Sequence, residues 1–196
     1  MSDTAEEFLD RIFEHIGSLN PDKYSYASWK YANRPTGEGV GQSPKAVDVD
    51  TMVDCILNVE AYADNVRFVE GCEILQKDSD TEFTYIQRMS LPLLGKVQTV
   101  LHIADYGEMN GYRVVAWNQD DERTMALDKK NGFRTEYNLG GWLLKEDAVA
   151  YALSSCPVKK DVGSIKFAIM TKGADTTASQ VVQQNIDAMV AWSERS

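Results

Sequence analysis

The C-terminal stretch that decides the fold reads Asp175-Thr-Thr-Ala-Ser-Gln-Val-Val-Gln-Gln-Asn-Ile-Asp-Ala-Met-Val-Ala-Trp192. Asp175 or Thr176 is the predicted N-cap, because a short side-chain oxygen accepts hydrogen bonds from unpaired backbone N–H groups of the first turn. Gln180, Gln183 and Gln184 fall on one polar face. The opposite face carries apolar residues at three- and four-residue spacing, which predicts an amphipathic helix: Ala178, Val182, Ile186, Met189 and Val190.

A single helix of this length cannot bury its apolar face alone, so a second layer of structure must cover it. Almost everything between residues 66 and 156 has the composition of strands joined by short turns rich in Gly, Asn and Asp. Because no helical segment separates these strands, antiparallel pairing is expected. The predicted strands are 66–76, 82–90, 97–105, 111–119, 133–144 and 148–155.

The N-terminal part of the chain predicts helices around one further strand. Residues 4–19 form an amphipathic helix that is expected to pack on the outside of the domain or along one edge. Residues 24–32 predict a first strand, and the Gly- and Pro-rich residues 34–44 predict a loop without a nucleotide-binding motif. Residues 47–65 are helical, capped by Asp48 or Asp50, and a break near Asn58 would divide them into two short helices.

Alternation along the middle strands divides their side chains between two faces. In residues 81–90, Phe83, Tyr85, Gln87 and Met89 share one face, opposite Arg88. In the next strand the even-numbered residues, which include His102, oppose the odd-numbered ones. The period of two does not decide which face is concave.

Composition restricts the classes of function. With 196 residues, 43% hydrophobic residues and 26% charged residues, the chain suits one globular domain. The formal net charge of −10 argues against nucleic-acid binding and against stable residence on an anionic membrane, although transient contact through a local patch stays open. An acidic N-terminus without an apolar core, together with three scattered cysteines, predicts a reduced cytoplasmic protein.

Three parts of the chain carry a resemblance to a known superfamily: residues 53–75, the hairpin formed by residues 137–145 and 149–157, and residues 163–192. They resemble the START/SRPBCC superfamily, the Bet v 1-like proteins. The resemblance implies an α+β helix-grip fold, with an N-terminal helix in residues 1–23 and a ligand-binding domain in residues 24–196. In that domain a curved antiparallel sheet of about seven strands wraps a long C-terminal helix, and two short helices follow the first strand. START domains usually carry a tryptophan in the short-helix segment, where this chain has Tyr62.

The resemblance further implies that a hydrophobic small molecule, such as a lipid, sterol or polyketide, binds between the long helix and the sheet. Arg88 is a candidate for pairing with a carboxylate or phosphate of an amphipathic ligand, although an exposed strand arginine is the simpler interpretation. Access would be controlled by loops near Pro92 and by the start of the long helix at residues 168–173, with Gly173 as a hinge. The predicted ligand-binding residues are Arg88, His102, Trp117, Tyr137, Trp142, Met170 and Ile186.

Two other functions compete with a carrier, sensor or transfer protein. The first is an enzyme of the polyketide cyclase or dehydratase type, with His102 or a nearby carboxylate as the base. The second is a protein-interaction module whose interior is packed. The sequence names no catalytic residue and no cofactor, and its two histidines and three cysteines form no metal-binding motif. It leaves the oligomeric state open.

Overall fold

An antiparallel sheet and a long C-terminal helix dominate the computed structural model, which describes residues 3–91 and 95–196. The helices are α1 (Ala5–Ile16), α2 (Val49–Leu57), α3 (Tyr62–Asn65), α4 (Asp121–Ala126), α5 (Lys159–Val162) and α6 (Ser164–Ser193). The strands are β1 (Ser25–Trp29), β2 (Glu38–Ser43), β3 (Val69–Lys77), β4 (Glu82–Leu91), β5 (Gly95–Met109), β6 (Tyr112–Gln119), β7 (Phe133–Lys145) and β8 (Ala148–Pro157). Short 3₁₀ turns cover Val59–Ala61 and Lys129–Asn131.

The eight strands form one curved sheet in the order β1-β2-β8-β7-β6-β5-β4-β3, one strand more than the seven expected. All neighbours along this order pair in antiparallel fashion. An additional short parallel contact joins Val97 and Gln98 of β5 to Phe133 and Arg134 of β7. Because β5 and β7 also flank β6, this contact requires the sheet to curl, and its concave face holds α6.

The two faces of the sheet bury separate apolar cores. On the concave side, Val182, Ile186 and Met189 of α6 pack with α2 and with alternate strand residues such as Val115. On the convex side, α1 packs against the intervening residues, which include Val114. Phe8, Leu9 and Ile12 of α1 are fully buried there. The expected apolar face of the C-terminal helix and the expected outer position of the first helix are therefore both confirmed.

The predicted loop at residues 34–44 is wrong, because it contains β2, every residue of which is buried. Its glycines are structural. A Cβ atom on Gly41 would lie 2.6 Å from Cγ1 of Val182, and one on Gly39 would lie 2.0 Å from the Tyr26 hydroxyl. Glycine is therefore required where α6 and an aromatic ring approach the backbone of β2, and its frequency here does not indicate a turn.

The C-terminal helix starts earlier than its predicted caps. α6 begins at Ser164, after Gly163 with a φ of 81°, so residues 175 and 176 lie inside the helix. The Thr176 hydroxyl donates to the carbonyl oxygens of Lys172 and Gly173, within the same helix. Gly173 also lies within α6. Residues 165–170, which are apolar except for Lys166, continue the helix toward its N-terminus.

A partly buried ion pair fixes the chain just before α6. The guanidinium of Arg134 in β7 donates from Nε and Nη2 to the Asp161 carboxylate in α5, at 2.8 and 2.9 Å. These hydrogen bonds lower the pKa of Asp161 below that of an ordinary aspartate. The helix therefore begins from a defined position beside the sheet.

Other predicted boundaries changed by a few residues. The helical segment breaks at Asn58 into α2 and α3, as expected, and the Asp48 carboxylate caps α2 by accepting from the Thr51 N–H at 2.8 Å. These helices follow β2, not the first strand. β3 begins at Val69, because residues 66–69 form a turn, and β5 extends to Met109, so that Asn110 and Gly111 make the hairpin turn. The sequence did not predict α4.

Replacement of Gly41 by alanine tests the close approach of α6 to β2. Because the added Cβ atom would overlap Val182, we expect Gly41→Ala to lower the free energy of unfolding by about 1–3 kcal/mol in urea titrations. Gly71→Ala in β3 is the matched control, since a Cβ atom there has nothing within 4 Å. A second substitution, Val182→Ala, should restore part of the loss in the Gly41→Ala background. Equal effects of the two glycine replacements would contradict the proposed close packing.

Candidate ligand-binding cavity

A cavity of about 350 Å³ lies between the C-terminal half of α6, the turn before β3 and the concave face of the sheet. Its walls come from β4 to β8 on one side and from Val181, Gln184, Asn185, Ala188 and Met189 of α6 on the other. This volume lies near the lower end of the range of ligand pockets, roughly 300–1,000 Å³. The space between helix and sheet is therefore not filled by side chains of the described residues.

The cavity decides which face of the strands is concave. Tyr85, Gln87 and Met89 of β4 line it, and so do Thr99 and Leu101 of β5. The odd-numbered residues of both strands thus face the cavity, and their even-numbered neighbours face the other side of the sheet. The two sets proposed from alternation are confirmed, and the structure supplies the direction that alternation lacked.

Aromatic side chains form the deep wall of the cavity. The Tyr151 ring lies 4.4 Å from the Trp142 ring and 5.9 Å from the Trp117 ring, measured between centroids. The Trp117 indole lies across Gly140, where a Cβ atom would be only 2.0 Å from the ring. Its N–H donates to the Asn138 side-chain oxygen at 3.0 Å. Flat, amphipathic rings of this kind supply apolar contact area with few polar groups.

A polar patch occupies one wall of the same cavity. The hydroxyls of Thr99 and Thr135 both donate to the side-chain oxygen of Gln119, at 3.3 and 2.5 Å. The Gln119 side-chain nitrogen in turn donates to the backbone oxygens of Thr135 and Glu136. Since these groups already pair with one another, they hold the wall in place and present few unpaired atoms to a ligand.

The cavity provides almost no ionisable chemistry. Burial raises the pKa values of the Tyr62, Tyr85 and Tyr151 phenols above their ordinary value, so all three are protonated at neutral pH. The described lining residues include no aspartate, glutamate, histidine, lysine or cysteine. Arg67, in the turn before β3, is the one charged residue among them.

The structure brings two of the seven predicted site residues into the cavity, Trp117 and Trp142. Arg88 and His102 belong to the even-numbered set and lie on the other face. The Arg88 guanidinium pairs with Glu73 at 3.7 Å, and Nε2 of His102 lies 3.3 Å from the Glu82 carboxylate. Both side chains are partly exposed.

The remaining three predicted residues are also absent from the lining. A β-bulge between Thr135 and Tyr137 reverses the alternation of β7, so Thr135 faces the cavity and the Tyr137 hydroxyl pairs with Thr36 at 2.6 Å. Ile186 is fully buried in the core that joins α6 to α2. Met170 is half-buried in the N-terminal half of α6, remote in sequence from the helix residues that line the cavity.

A second cavity, of about 360 Å³, adjoins the first along α6. It lies between residues 174–182 of the helix and strands β1, β2 and β8, and Leu153, Ser155 and Val181 line both spaces. Glu38 lines it, with a fully buried carboxylate that accepts from Arg11 and Arg34. Since the Glu38 carboxylate is already paired with two arginines, it is not free to bind a ligand in the second cavity. The first cavity, with its aromatic wall, is therefore the candidate ligand site.

Several lining residues were missed by sequence reasoning. Arg67 fell inside a predicted strand, and Gln184 and Asn185 fell on or beside the polar face of the helix, where exposure to solvent was expected. They were missed because they are polar, and polar residues were expected to face solvent. The cavity in fact opens at the boundary between the apolar and polar faces of α6. Pro92, near which access was predicted, lies outside the described residues.

Residues 3–91 and 95–196 contain no group of three His, Cys, Asp or Glu side chains that is arranged to hold a metal ion. Among the described helices, none has the length and apolar character needed to cross a membrane.

The structure is similar to solved structures of two kinds. A STAR-related lipid transfer protein fragment from Xanthomonas axonopodis superimposes with a TM-score of 0.71 at 19% identity, over 87% of this chain and 93% of that one. Human StAR-related lipid transfer protein 5 gives a TM-score of 0.68 at 11% identity, over 97% and 95% of the two chains. Zhui aromatase/cyclase from Streptomyces sp. R1128 gives 0.52 at 15% identity, over 88% and 94%.

These similarities establish the START-like helix-grip fold that the sequence resemblance implied. No protein-family model matches the sequence. No curated protein matches it significantly in sequence. At these low identities the shared property is the fold, so any ligand must be inferred from the cavity itself.

Alkaline titration tests the burial of the cavity tyrosines. Burial raises the pKa of Tyr85 in the folded protein above the unfolded value of about 10. Below that pH the phenol is protonated in both states. As pH rises above it, the phenol ionises more readily in the unfolded state, so the folded state loses stability. We expect Tyr85→Phe and the wild type to differ little in stability below that pH, and the variant to resist alkaline unfolding better, as measured by circular dichroism. Tyr31→Phe, outside the cavity, is the control. Identical alkaline transitions for Tyr85→Phe and wild type would contradict this burial.

Proposed function

We propose that this protein binds a small hydrophobic molecule in the cavity between α6 and the sheet and acts as a carrier, sensor or transfer protein. The observation that supports this most strongly is an unfilled, aromatic-walled space of about 350 Å³ between α6 and the sheet. Protein interiors normally leave few voids larger than a water molecule. A space of this size, lined mainly by apolar and aromatic groups, is typical of a ligand site.

The same observation argues against an interaction module with a packed interior. The names of the structural neighbours, which include lipid transfer proteins, agree with the proposal without identifying a ligand for this chain. The net charge of −10 supports the exclusion of nucleic acid as a partner. The three free cysteines support a reducing, cytoplasmic location. Exposed Ile165 and Ile169 on α6 would serve transient contact with a membrane surface.

The cyclase alternative needs a different catalytic group from those suggested by the sequence. His102 lies on the convex face, and no carboxylate is among the described lining residues. A general base must reach the proton that it removes, directly or through one water molecule. The aromatase/cyclase fold similarity keeps this hypothesis open, but the composition of the cavity favours binding.

Native mass spectrometry of the purified protein, followed by organic extraction, is the direct test. A defined hydrophobic molecule at near-unit stoichiometry would support the proposal and give the ligand class. A neutral fluorescent dye, N-phenylnaphthylamine, provides the second measurement for protein that is purified without ligand. Failure of the wild type both to retain a molecule and to bind the dye would contradict the proposal.

Filling the cavity from the helix should abolish binding. Ala188 lines the cavity, so Ala188→Trp would place an indole where the ligand lies, and we expect the affinity for the dye to fall by about tenfold or more. Ala168→Trp is the matched control, because Ala168 is exposed on the same helix and is absent from the lining. Equal dye affinity for both variants would place the binding site elsewhere. Circular dichroism and urea unfolding establish that each variant is folded.

A further inference from the structure

Arg67 lies at the solvent-exposed edge of the cavity and differs in charge from everything else around it. The other described residues of the lining are apolar, aromatic or neutral and polar. Arg67 itself is exposed, whereas Val69 and Tyr85 nearby in the wall are buried. An amphiphile whose tail occupies the aromatic interior would therefore have its polar end beside a guanidinium.

Arg67 also lacks a carboxylate partner in the described part of the chain. Its Nη1 donates to the side-chain oxygen of Gln184 at 3.3 Å, and its guanidinium stands 4.4 Å from the centre of the Phe68 ring. In contrast, the arginines elsewhere in the fold mostly pair with carboxylates: Arg11, Arg34, Arg88, Arg113, Arg123 and Arg134. Arg195, which donates to the Asn65 side chain, is absent from the cavity lining, so Arg67 is the arginine of this cavity that has no acidic partner among the described residues.

The backbone holds this arginine at the mouth of the cavity. Arg67 and Phe68 form the turn between α3 and β3, and Phe68 has a φ of 68°, which is rare for a bulky residue. The turn is fixed by the Phe68 carbonyl oxygen, which accepts from the Ser90 N–H of β4 at 2.8 Å. Both side chains line the cavity. If Phe68 had the negative φ of an ordinary strand residue, β3 would extend through it and this turn would be lost.

We infer that Arg67 determines specificity for an amphiphile with one compact tail and an anionic head group, carboxylate or phosphate. The inference rests on the proposed function and adds the chemical class of its ligand. Guanidinium forms charge-assisted, bidentate hydrogen bonds with both anions. Gln184, which already bonds to Arg67, would hold the guanidinium in position. The modest cavity volume favours a single chain over a two-chain lipid.

The sequence suggested Arg88 as the residue that pairs with an anionic ligand group, and we assign that role to Arg67 instead. Both residues are arginines close to the same strands, but Arg88 lies on the convex face and pairs with Glu73. They provide a matched pair of substitutions, since Arg67→Gln and Arg88→Gln remove the same charge from a chain of the same composition. Long-range effects of net charge are therefore equal in the two variants.

The test is displacement of N-phenylnaphthylamine by dodecanoate, dodecyl phosphate and dodecanol, which share one tail and differ in the head group. The wild type should bind the two anions more tightly than the alcohol. Arg67→Gln should weaken binding of the anions by about fivefold, the upper range for a partly exposed ion pair, and change dodecanol binding by less than about twofold. Arg67→Lys should retain part of the preference. Arg88→Gln should match the wild type.

The outcomes separate the inference from the proposed function. If all three compounds bind and Arg67→Gln weakens them equally, the inference is wrong and hydrophobic binding stands. If neither the dye nor any compound binds to the wild type, the proposed function fails. Preference for dodecanoate over dodecyl phosphate would identify a carboxylate ligand, and the reverse order would identify a phosphate. Higher salt should reduce the anion preference of the wild type and leave dodecanol binding unchanged.

Discussion

The contact between Val182 of α6 and Gly41 of β2 is the constraint on which the architecture depends. A side chain at position 41 would overlap Val182, so the distance between helix and sheet at this point is set by the missing Cβ atom. Gly39, two residues earlier, gives the same room to the Tyr26 ring. The helix and β2 are therefore in close contact at this point, with cavity space on either side of it.

The candidate ligand cavity follows from that geometry. The helix is in close contact with β2 at Gly41, and the candidate cavity lies between its C-terminal half and residues of β4 to β8. Large rings fill part of the gap, and Gly140 lets the Trp117 indole lie flat against β7 where a side chain would have pushed it inward. A glycine that makes room for an aromatic ring thus occurs in both strands, at Gly39 beside Tyr26 in β2 and at Gly140 beside Trp117 in β7.

Charge is distributed so that the interior stays neutral. The buried carboxylate of Glu38 is surrounded by donors from Arg11, Arg34 and the Trp29 indole, which offset the cost of removing it from water. The Arg11–Glu38 pair among them links α1 to β2. The cavity tyrosines remain protonated because burial disfavours their anions. Against this background, Arg67 at the cavity mouth is the one charged residue among the described lining residues.

The sequence resemblance implied the helix-grip fold, and the residue pattern determined the apolar face of the C-terminal helix, the break at Asn58 and the two-sided pattern of β4 and β5. Those features follow from periodicity and local capping, which depend on neighbours in the chain. It also indicated Trp117 and Trp142 as wall residues. Only the tertiary structure decided that the odd-numbered face is concave, because a period of two has no direction until the sheet curls around α6. It likewise decided that Gly39 and Gly41 belong to a buried strand, since the atoms that require glycine come from Tyr26 and Val182, distant in sequence. The bulge that turned Tyr137 outward, and the turn that placed Arg67 at the cavity mouth, depend on contacts between strands for the same reason.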